Sequence, residues 1–258
     1  MRFIRHLRFI ATALIGVTIT TLAHALPTIV IAPGTSPAGG YLPLSLFGIS
    51  SMAAGDDTIT NFIVPTFDYA GQTWSNLGVV SNGYVVVGGG TSADVLPVNT
   101  SLPDLSAPGN ILAPFWTDLD LSAGGGLRIG TLTDGADTWI VVDWEKVPTF
   151  NEPSELNSFE VWIGLNTDAH PGEDISFAYN PVGNGDGGHL TVGAQDVSHT
   201  VGDTYYYNGT GTAPVHGTQL RVTTRDLPVD APEPATLALF SLGLVGLAAS
   251  RRRRQQGW

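Results

Sequence analysis

TWIVVDWEKV, residues 138 to 147, is the stretch that decides the fold class. Large apolar side chains occupy every second position from Ile140 to Trp144, and the positions between and after them include Asp143 and Glu145. Successive side chains of a β-strand point to opposite faces, so this period of two predicts a strand with one face in a core.

Neighbouring stretches repeat the signal. SFEVWIGL, residues 158 to 165, alternates in the same way, and GVVSNGYVVVG, residues 78 to 88, has apolar runs on both sides of the turn dipeptide Asn82-Gly83. Further short runs bounded by Gly, Asn, Pro or Asp continue to about residue 224, and no dozen-residue window shows a helical period. These patterns predict an all-β fold, an antiparallel β-sandwich ectodomain, over residues 26–226.

The first 25 residues are predicted to be a signal peptide. A basic segment and an apolar run precede a small-x-small cleavage pattern at Ala23 and Ala25, so the mature chain is expected to begin at Leu26. The alternative is an uncleaved anchor helix, which the shortness of the apolar run disfavours.

The chain ends in PEPATLALFSLGLVGLAASRRRRQQGW, residues 232–258, after a Pro-rich linker at residues 227–234. The stretch from Ala235 to Ser250 carries no charge, and as a helix it would be about 24 Å long. We therefore predict a single transmembrane helix, and the arginines after it are expected to stay on the cytoplasmic side.

This tail resembles the PEP-CTERM sorting signal of exported proteins from Gram-negative bacteria that make extracellular polysaccharide. The resemblance implies recognition by an exosortase-type membrane protease, a transient stay in the inner membrane, cleavage near the Pro-Glu-Pro, and delivery to the cell surface or medium. The alternative is an ordinary C-terminal anchor. The predicted sorting and processing residues are Pro232, Glu233, Pro234, Arg251, Arg252, Arg253 and Arg254.

The body resembles nidogen-like extracellular β domains and related bacterial secreted modules. The resemblance spans about Phe62 to Val222 and rests on the segments VVSNGYVVVG, NILAPFWTDLD and NSFEVWIGL, in that order. It implies a role in extracellular matrix or adhesion and brings no shared catalytic residue. Glu160 stands where the family usually has Gln.

Charge limits the partners. Between Leu26 and Pro232 there are 22 acidic residues and four basic ones, a net charge of −18. Such a body would repel nucleic acid and anionic surfaces. The chain has no cysteine, so it has neither a disulfide framework nor a thiolate zinc site or nucleophile.

FWTDLDLSAGGG, residues 115–126, contains the candidate metal ligands Asp118 and Asp120. It begins like a calcium loop, but Ala123 and Ile129 stand where an EF-hand needs Gly and Glu. We expect either a loop site for Ca²⁺ or a solvated turn in which the Asp bonds its own backbone, and no cofactor besides Ca²⁺.

No catalytic motif is present, so the chain is predicted not to be an enzyme. The sequence has no HExxH zinc pattern and no GxSxG nucleophile elbow. The alternative is a secreted carbohydrate-active enzyme with a carboxylate pair drawn from Asp143, Glu145 and Glu160, whose separation depends on the fold.

Two tryptophans fall out of phase with the apolar residues of their strands. We therefore expect Trp139 or Trp162 to face solvent, where an indole ring can stack on a sugar or anchor a protein contact. The favoured function is a non-catalytic surface or matrix domain that binds exopolysaccharide or an envelope protein.

Overall fold

A computed structural model describes residues 27–226, and the strands lie in one compact unit, Leu26–Leu227. Short 3-10 turns occur at Leu44–Phe47 and Ser92–Asp94. The strands are β1 Pro27–Pro33, β2 Ile59–Tyr69, β3 Gln72–Val80, β4 Tyr84–Val87, β5 Ile111–Trp116, β6 Gly126–Thr133, β7 Thr138–Pro148, β8 Leu156–Gly164, β9 Ile175–Tyr179, β10 Thr191–Gln195, β11 Gly202–Tyr207, β12 Thr210–Gly211 and β13 Gln219–Asp226.

The strands form two antiparallel sheets. A six-stranded sheet has the order β1-β13-β9-β8-β7-β6, and a seven-stranded sheet has the order β12-β11-β10-β5-β4-β3-β2. The prediction of an antiparallel β-sandwich is confirmed. The predicted signal peptide and transmembrane helix lie outside the described residues, and within residues 27–226 no helix is long and apolar enough to cross a bilayer.

Strands β7 and β8 place their alternating side chains as predicted. Val142 and Trp144 on β7 and Phe159 on β8 are fully buried in the main core. Trp144 stacks on Phe159 with ring centroids 5.0 Å apart, and Phe115 of the other sheet lies 5.1 Å from Phe159. These aromatic contacts tie the two sheets together at the centre of the sandwich.

Both ends of the folded body lie at the same end of the six-stranded sheet. Strand β1 pairs with β13 so that Pro27 lies opposite Asp226. We call this end the entry pole. The β3–β4 turn and the loop that follows β5 lie at the opposite end, which we call the far pole, where Thr117 donates to the carbonyl of Asn82 over 3.3 Å.

A segment of residues 37–49, which we call the cover segment, lies on the outer face of the six-stranded sheet. Leu44 is fully buried in a small cluster with Trp139, Val141 and Trp162, and Ile49 packs against it. Trp139 is 7% exposed and Trp162 is 3% exposed. The expectation that one of these tryptophans faces solvent is therefore wrong, because the cover segment buries the face to which both point.

The seven-stranded sheet is also covered on its outer face, in this case by residues 88–110. Leu102 and Ala107 from this excursion form a cluster with Tyr84 and Trp116. The polar ends of both aromatic side chains are satisfied there. Tyr84 donates to the carbonyl of Asp94 over 2.7 Å, and the Trp116 indole donates to the carbonyl of Leu96 over 2.8 Å.

Candidate functional site

Two of the segments that carry the nidogen-like resemblance, SNGY and APFWTD, meet at the far pole. Phe115 donates its backbone N–H to the carbonyl of Gly83 over 3.2 Å. Gly83 has φ +79°, and a Cβ built there would overlap the carbonyl oxygen of Phe115. Only glycine fits this close crossing of backbones, so the segment is first of all structural.

Asn82 fixes the loops around this crossing. Its side chain is fully buried. Its Nδ2 donates to Oδ1 of Asp57 over 2.7 Å, and its Oδ1 accepts the N–H of Leu119 over 3.2 Å. One amide therefore holds the loop before β2 and the loop after β5 in a defined relation.

Three carboxylates converge beside Asn82. Asp56, Asp57 and Asp118 each offer an oxygen atom, and these atoms lie within 4.8 Å of one another. We call this group the far-pole cluster. Asp56 and Asp118 are half-buried and Asp57 is exposed. Such a set of hard oxygen donors suits a divalent cation such as Ca²⁺.

The electrostatics of the far-pole cluster are unfavourable without a counter-charge. Burial, together with Asp57, Asp56, Asp186 and Asp120, raises the pKa of Asp118 to about 6. Burial, followed by the charges of Asp57 and Asp120, also raises the pKa of Asp56. Oδ1 of Asp56 is inaccessible to solvent and has no hydrogen-bond partner among the described residues.

The structure separates the two aspartates that the sequence singled out as metal ligands. Asp118 belongs to the far-pole cluster, whereas Oδ1 of Asp120 accepts hydrogen bonds from the N–H and hydroxyl of Ser122, at 2.8 and 2.5 Å. Asp120 thus fits the alternative of a turn that bonds its own backbone. Sequence reasoning missed Asp56 and Asp57, which lie 62 and 61 residues before Asp118 and reach it only through the fold.

A second carboxylate pair lies beneath the cover segment. Asp143 on β7 and Glu160 on β8 are opposite each other in the register, and both are fully buried. Asp143 accepts hydrogen bonds from the Tyr41 hydroxyl at 2.8 Å and the Leu44 N–H at 2.9 Å. These contacts explain why Asp143 is buried although strand alternation directs it away from the main core.

Glu160 is held in a similar way from the same side. Its Oε1 accepts the N–H of Leu42 at 3.0 Å and the indole N–H of Trp162 at 2.7 Å, while Oε2 is buried and has no hydrogen-bond partner within residues 27–226. Burial raises the pKa of Asp143 to about 6 and the pKa of Glu160 well above its ordinary value. Glu145, the third candidate, instead pairs with Arg128 at 2.8 Å.

Trp139 and Trp162 line a small apolar pocket. The pocket has a volume of about 160 Å³ and is bounded on its other sides by residues that include Leu42, Phe47 and Asp134. The two indole rings meet edge to face with centroids 6.0 Å apart. Neither ring offers a broad exposed face on which a sugar could stack.

Comparison with known proteins gives two family matches. A family model described as NIDO related matches residues 35–238, and a model of the PEP-CTERM protein-sorting motif matches residues 230–254. No curated protein and no solved structure matches significantly. The second match includes the Pro-Glu-Pro and the arginine run, which lie outside the described residues, as do Ala23 and Ala25.

These matches confirm both resemblances found in the sequence. The tail is that of an exported protein that an exosortase membrane enzyme sorts to the cell envelope or surface. The body fits an extracellular β domain, in agreement with the observed sandwich. The NIDO-related model matches residues 35–238, which is most of the chain, so the chain belongs to the NIDO-related family.

Proposed function

We propose that this exported chain is a non-catalytic domain of the extracellular matrix, which holds acidic exopolysaccharide through Ca²⁺ at the far pole. The observation that carries this proposal is the convergence of Asp56, Asp57 and Asp118 within 4.8 Å. All three side chains are carboxylates, the ligands that Ca²⁺ prefers in proteins. A bound divalent cation would offset the repulsion that raises the pKa of Asp118.

A cation that bridges the domain and the polymer would suit the strongly acidic charge of the domain. With a net charge of −18 between Leu26 and Pro232, the domain repels an acidic polymer that approaches directly. A cation shared between protein carboxylates and polymer carboxylates or hydroxyls would reverse that repulsion locally. The far pole is the end opposite Asp226, from which the chain continues towards the sorting tail, so a ligand there would be clear of the attachment point.

The absence of catalysis is also part of the proposal. The candidate acid pair, Asp143 and Glu160, is fully buried beneath the cover segment, which leaves no path for a glycosidic bond. Incubation of the protein with the host's own polysaccharide should therefore release no reducing ends. Steady release of reducing ends would favour the carbohydrate-active enzyme instead.

Affinity electrophoresis through native exopolysaccharide tests the binding function. The wild-type protein should be retarded in millimolar Ca²⁺ and released by a chelator, and Asp118→Asn should lose at least tenfold in retention. Asp120→Asn is the matched control, because Asn can cap the same turn. Equal retardation of all three proteins with and without Ca²⁺ would refute the calcium bridge, and capture of envelope proteins without retardation would favour a protein partner.

We also propose a transient stay in the inner membrane, supported by the uncharged stretch from Ala235 to Ser250 and the arginines after it. Intact-mass analysis of protein from the native cell surface and medium tests this step. Ends near Leu26 and near Pro232 would agree with sorting and release. A chain that still carries Trp258 would indicate a permanent tether.

A further inference from the structure

Within residues 27–226 the sandwich has four sheet edges, and three of them are protected, wholly or in part, against pairing with another chain. Strand β1 has proline at both ends, and the N–H of Ile31 donates to a carboxylate oxygen of Asp203 over 2.6 Å. Strand β12 is only two residues long. The first half of β6 is occupied by residues 49–52, since Met52 donates to the carbonyl of Leu127 over 2.8 Å.

Strand β2 is the edge of the seven-stranded sheet that no other described residue protects in this way. The N–H of Ser81 donates to the carbonyl of Thr58 over 2.9 Å, so the backbone polar groups of Thr58 point towards β3. Backbone groups alternate in direction along an antiparallel strand, so Thr60 and Phe62 also face β3. The N–H and C=O groups of Ile59, Asn61 and Ile63 therefore point away from the sheet.

The open part of β2 is short, apolar and uncharged. Residues 58–67 contain no charged side chain, although the body carries a net charge of −18. Ile63 is 91% exposed. Pro65 has no N–H to offer, and the carbonyl of Thr66 already accepts the N–H of Asn166 at 3.0 Å, so the free edge ends there.

We propose that β2 is a self-association edge, at which two copies of this chain pair antiparallel about Asn61 and join their seven-stranded sheets. Ile59 of each copy then lies opposite Ile63 of the other, and Asn61 lies opposite its own equivalent. These three residue pairs exchange about six backbone hydrogen bonds. The exposed Ile63 side chain is covered by Ile59 of the second copy.

The symmetric register is self-complementary, since it sets Ile59 against Ile63 twice, and the uncharged edge permits a second copy to pair in this orientation. In the symmetric pairing, Asp57 of one chain lies opposite Pro65 of the other. The two Asp57 carboxylates are then about 26 Å apart along the strands, beyond the screening length of about 10 Å at moderate salt. Within residues 57–65, the symmetric pairing therefore places no carboxylate opposite another.

Cysteine crosslinking tests the register, because the chain contains no cysteine of its own. In the full-length chain in mild detergent, Asn61→Cys should form a disulfide-linked dimer on gentle oxidation, since paired Cα atoms lie about 5.5 Å apart. Ile63→Cys alone should not, because its two thiols would be about 13 Å apart. The double variant Ile59→Cys/Ile63→Cys should crosslink again. It keeps the test valid if Asn61→Cys, which removes the hydrogen bonds between the Asn61 side chain and Gly90, disturbs the strand.

Sedimentation velocity tests the association itself. Ile63→Pro removes an N–H that points outwards, so the intramolecular ladder stays intact while the dimer fraction at tens of micromolar should fall at least tenfold. Ile63→Val should leave the dimer unchanged, and equal melting temperatures would show that both variants fold. A wild-type dimer fraction that Ile63→Pro does not lower would overturn the proposal, as would equal crosslinking of the two single cysteine variants.

Discussion

The buried Asp143 carboxyl makes the stability of the body depend on pH in an unusual direction. Burial beneath the cover segment raises its pKa from 3.8 to about 6, despite the hydrogen bonds from Leu44 and Tyr41 and the nearby charge of Arg128, all of which favour ionisation. A folded-state pKa above the unfolded value means that the stabilisation is fully present below pH 3.8. It is lost as the pH rises through about 6.

The size of the loss follows from the displacement of the pKa. Moving it from 3.8 to about 6 corresponds to about 3 kcal/mol in full, of which about 2 kcal/mol falls between pH 4 and pH 8. For a domain of this size that is about 4 to 8 °C in melting temperature. Glu160, whose pKa burial also raises, should add to the fall in the same direction.

Thermal and denaturant unfolding of the wild type and Asp143→Asn between pH 4 and pH 8 tests this reasoning. Between pH 4 and pH 8, the free energy of unfolding of Asp143→Asn should fall by about 2 kcal/mol less than that of the wild type. The reason is that Asn can still accept the hydrogen bond from Leu44 without carrying a charge. Glu160→Gln should flatten the curve further. Glu152→Gln, which changes an exposed carboxylate, is the control. Parallel curves for the wild type and Asp143→Asn would refute the assignment of this loss to the buried pair.

Other changes give equally direct tests. Millimolar Ca²⁺ should raise the melting temperature of the wild type but not of Asp118→Asn, because a ligand that binds only the folded state stabilises it by about 2.7 kcal/mol at a hundred times its Kd; an unchanged wild-type melting curve would contradict the calcium site. Gly83→Ala should cost at least about 2 kcal/mol more than Gly71→Ala in denaturant unfolding, since both have positive φ but only the first Cβ would overlap the backbone of Phe115. Equal costs would mean that the crossing relaxes easily. Replacing Arg251–Arg254 with Ser should leave the tail uncut, as measured by intact mass, and normal processing would show that these arginines are not needed for sorting.

The sequence predicted the strands well because their alternation is local. The inward phase of Val142, Trp144 and Phe159 could be deduced from neighbouring residues alone, and the turn at Asn82-Gly83 is specified by its own backbone requirement. These features depend on strand geometry, which is the same wherever a strand occurs.

The candidate sites depend on contacts between distant parts of the chain, so their composition could not be predicted. Asp143 lies on the outer face as expected, but its burial is due to Tyr41 and Leu44, about a hundred residues earlier. Asp57 lies beside Asp118 through contacts that include a hydrogen bond from the buried amide of Asn82 and a backbone bridge between Asp56 and Asp120. Nothing in the local pattern of either aspartate signals these partners.

The pairing of β13 has a mechanical consequence for any force applied at its C-terminal end. β13 is hydrogen-bonded to β1 along its full length and to β9 over Gln219–Val222, and the chain leaves the sandwich at Asp226. Ladder hydrogen bonds run perpendicular to the strands. A pull on the C-terminal end of β13, resisted at the far pole, therefore acts along the strand and strains the bonds of both ladders together rather than one after another. A force along β13 is therefore opposed by both ladders at once.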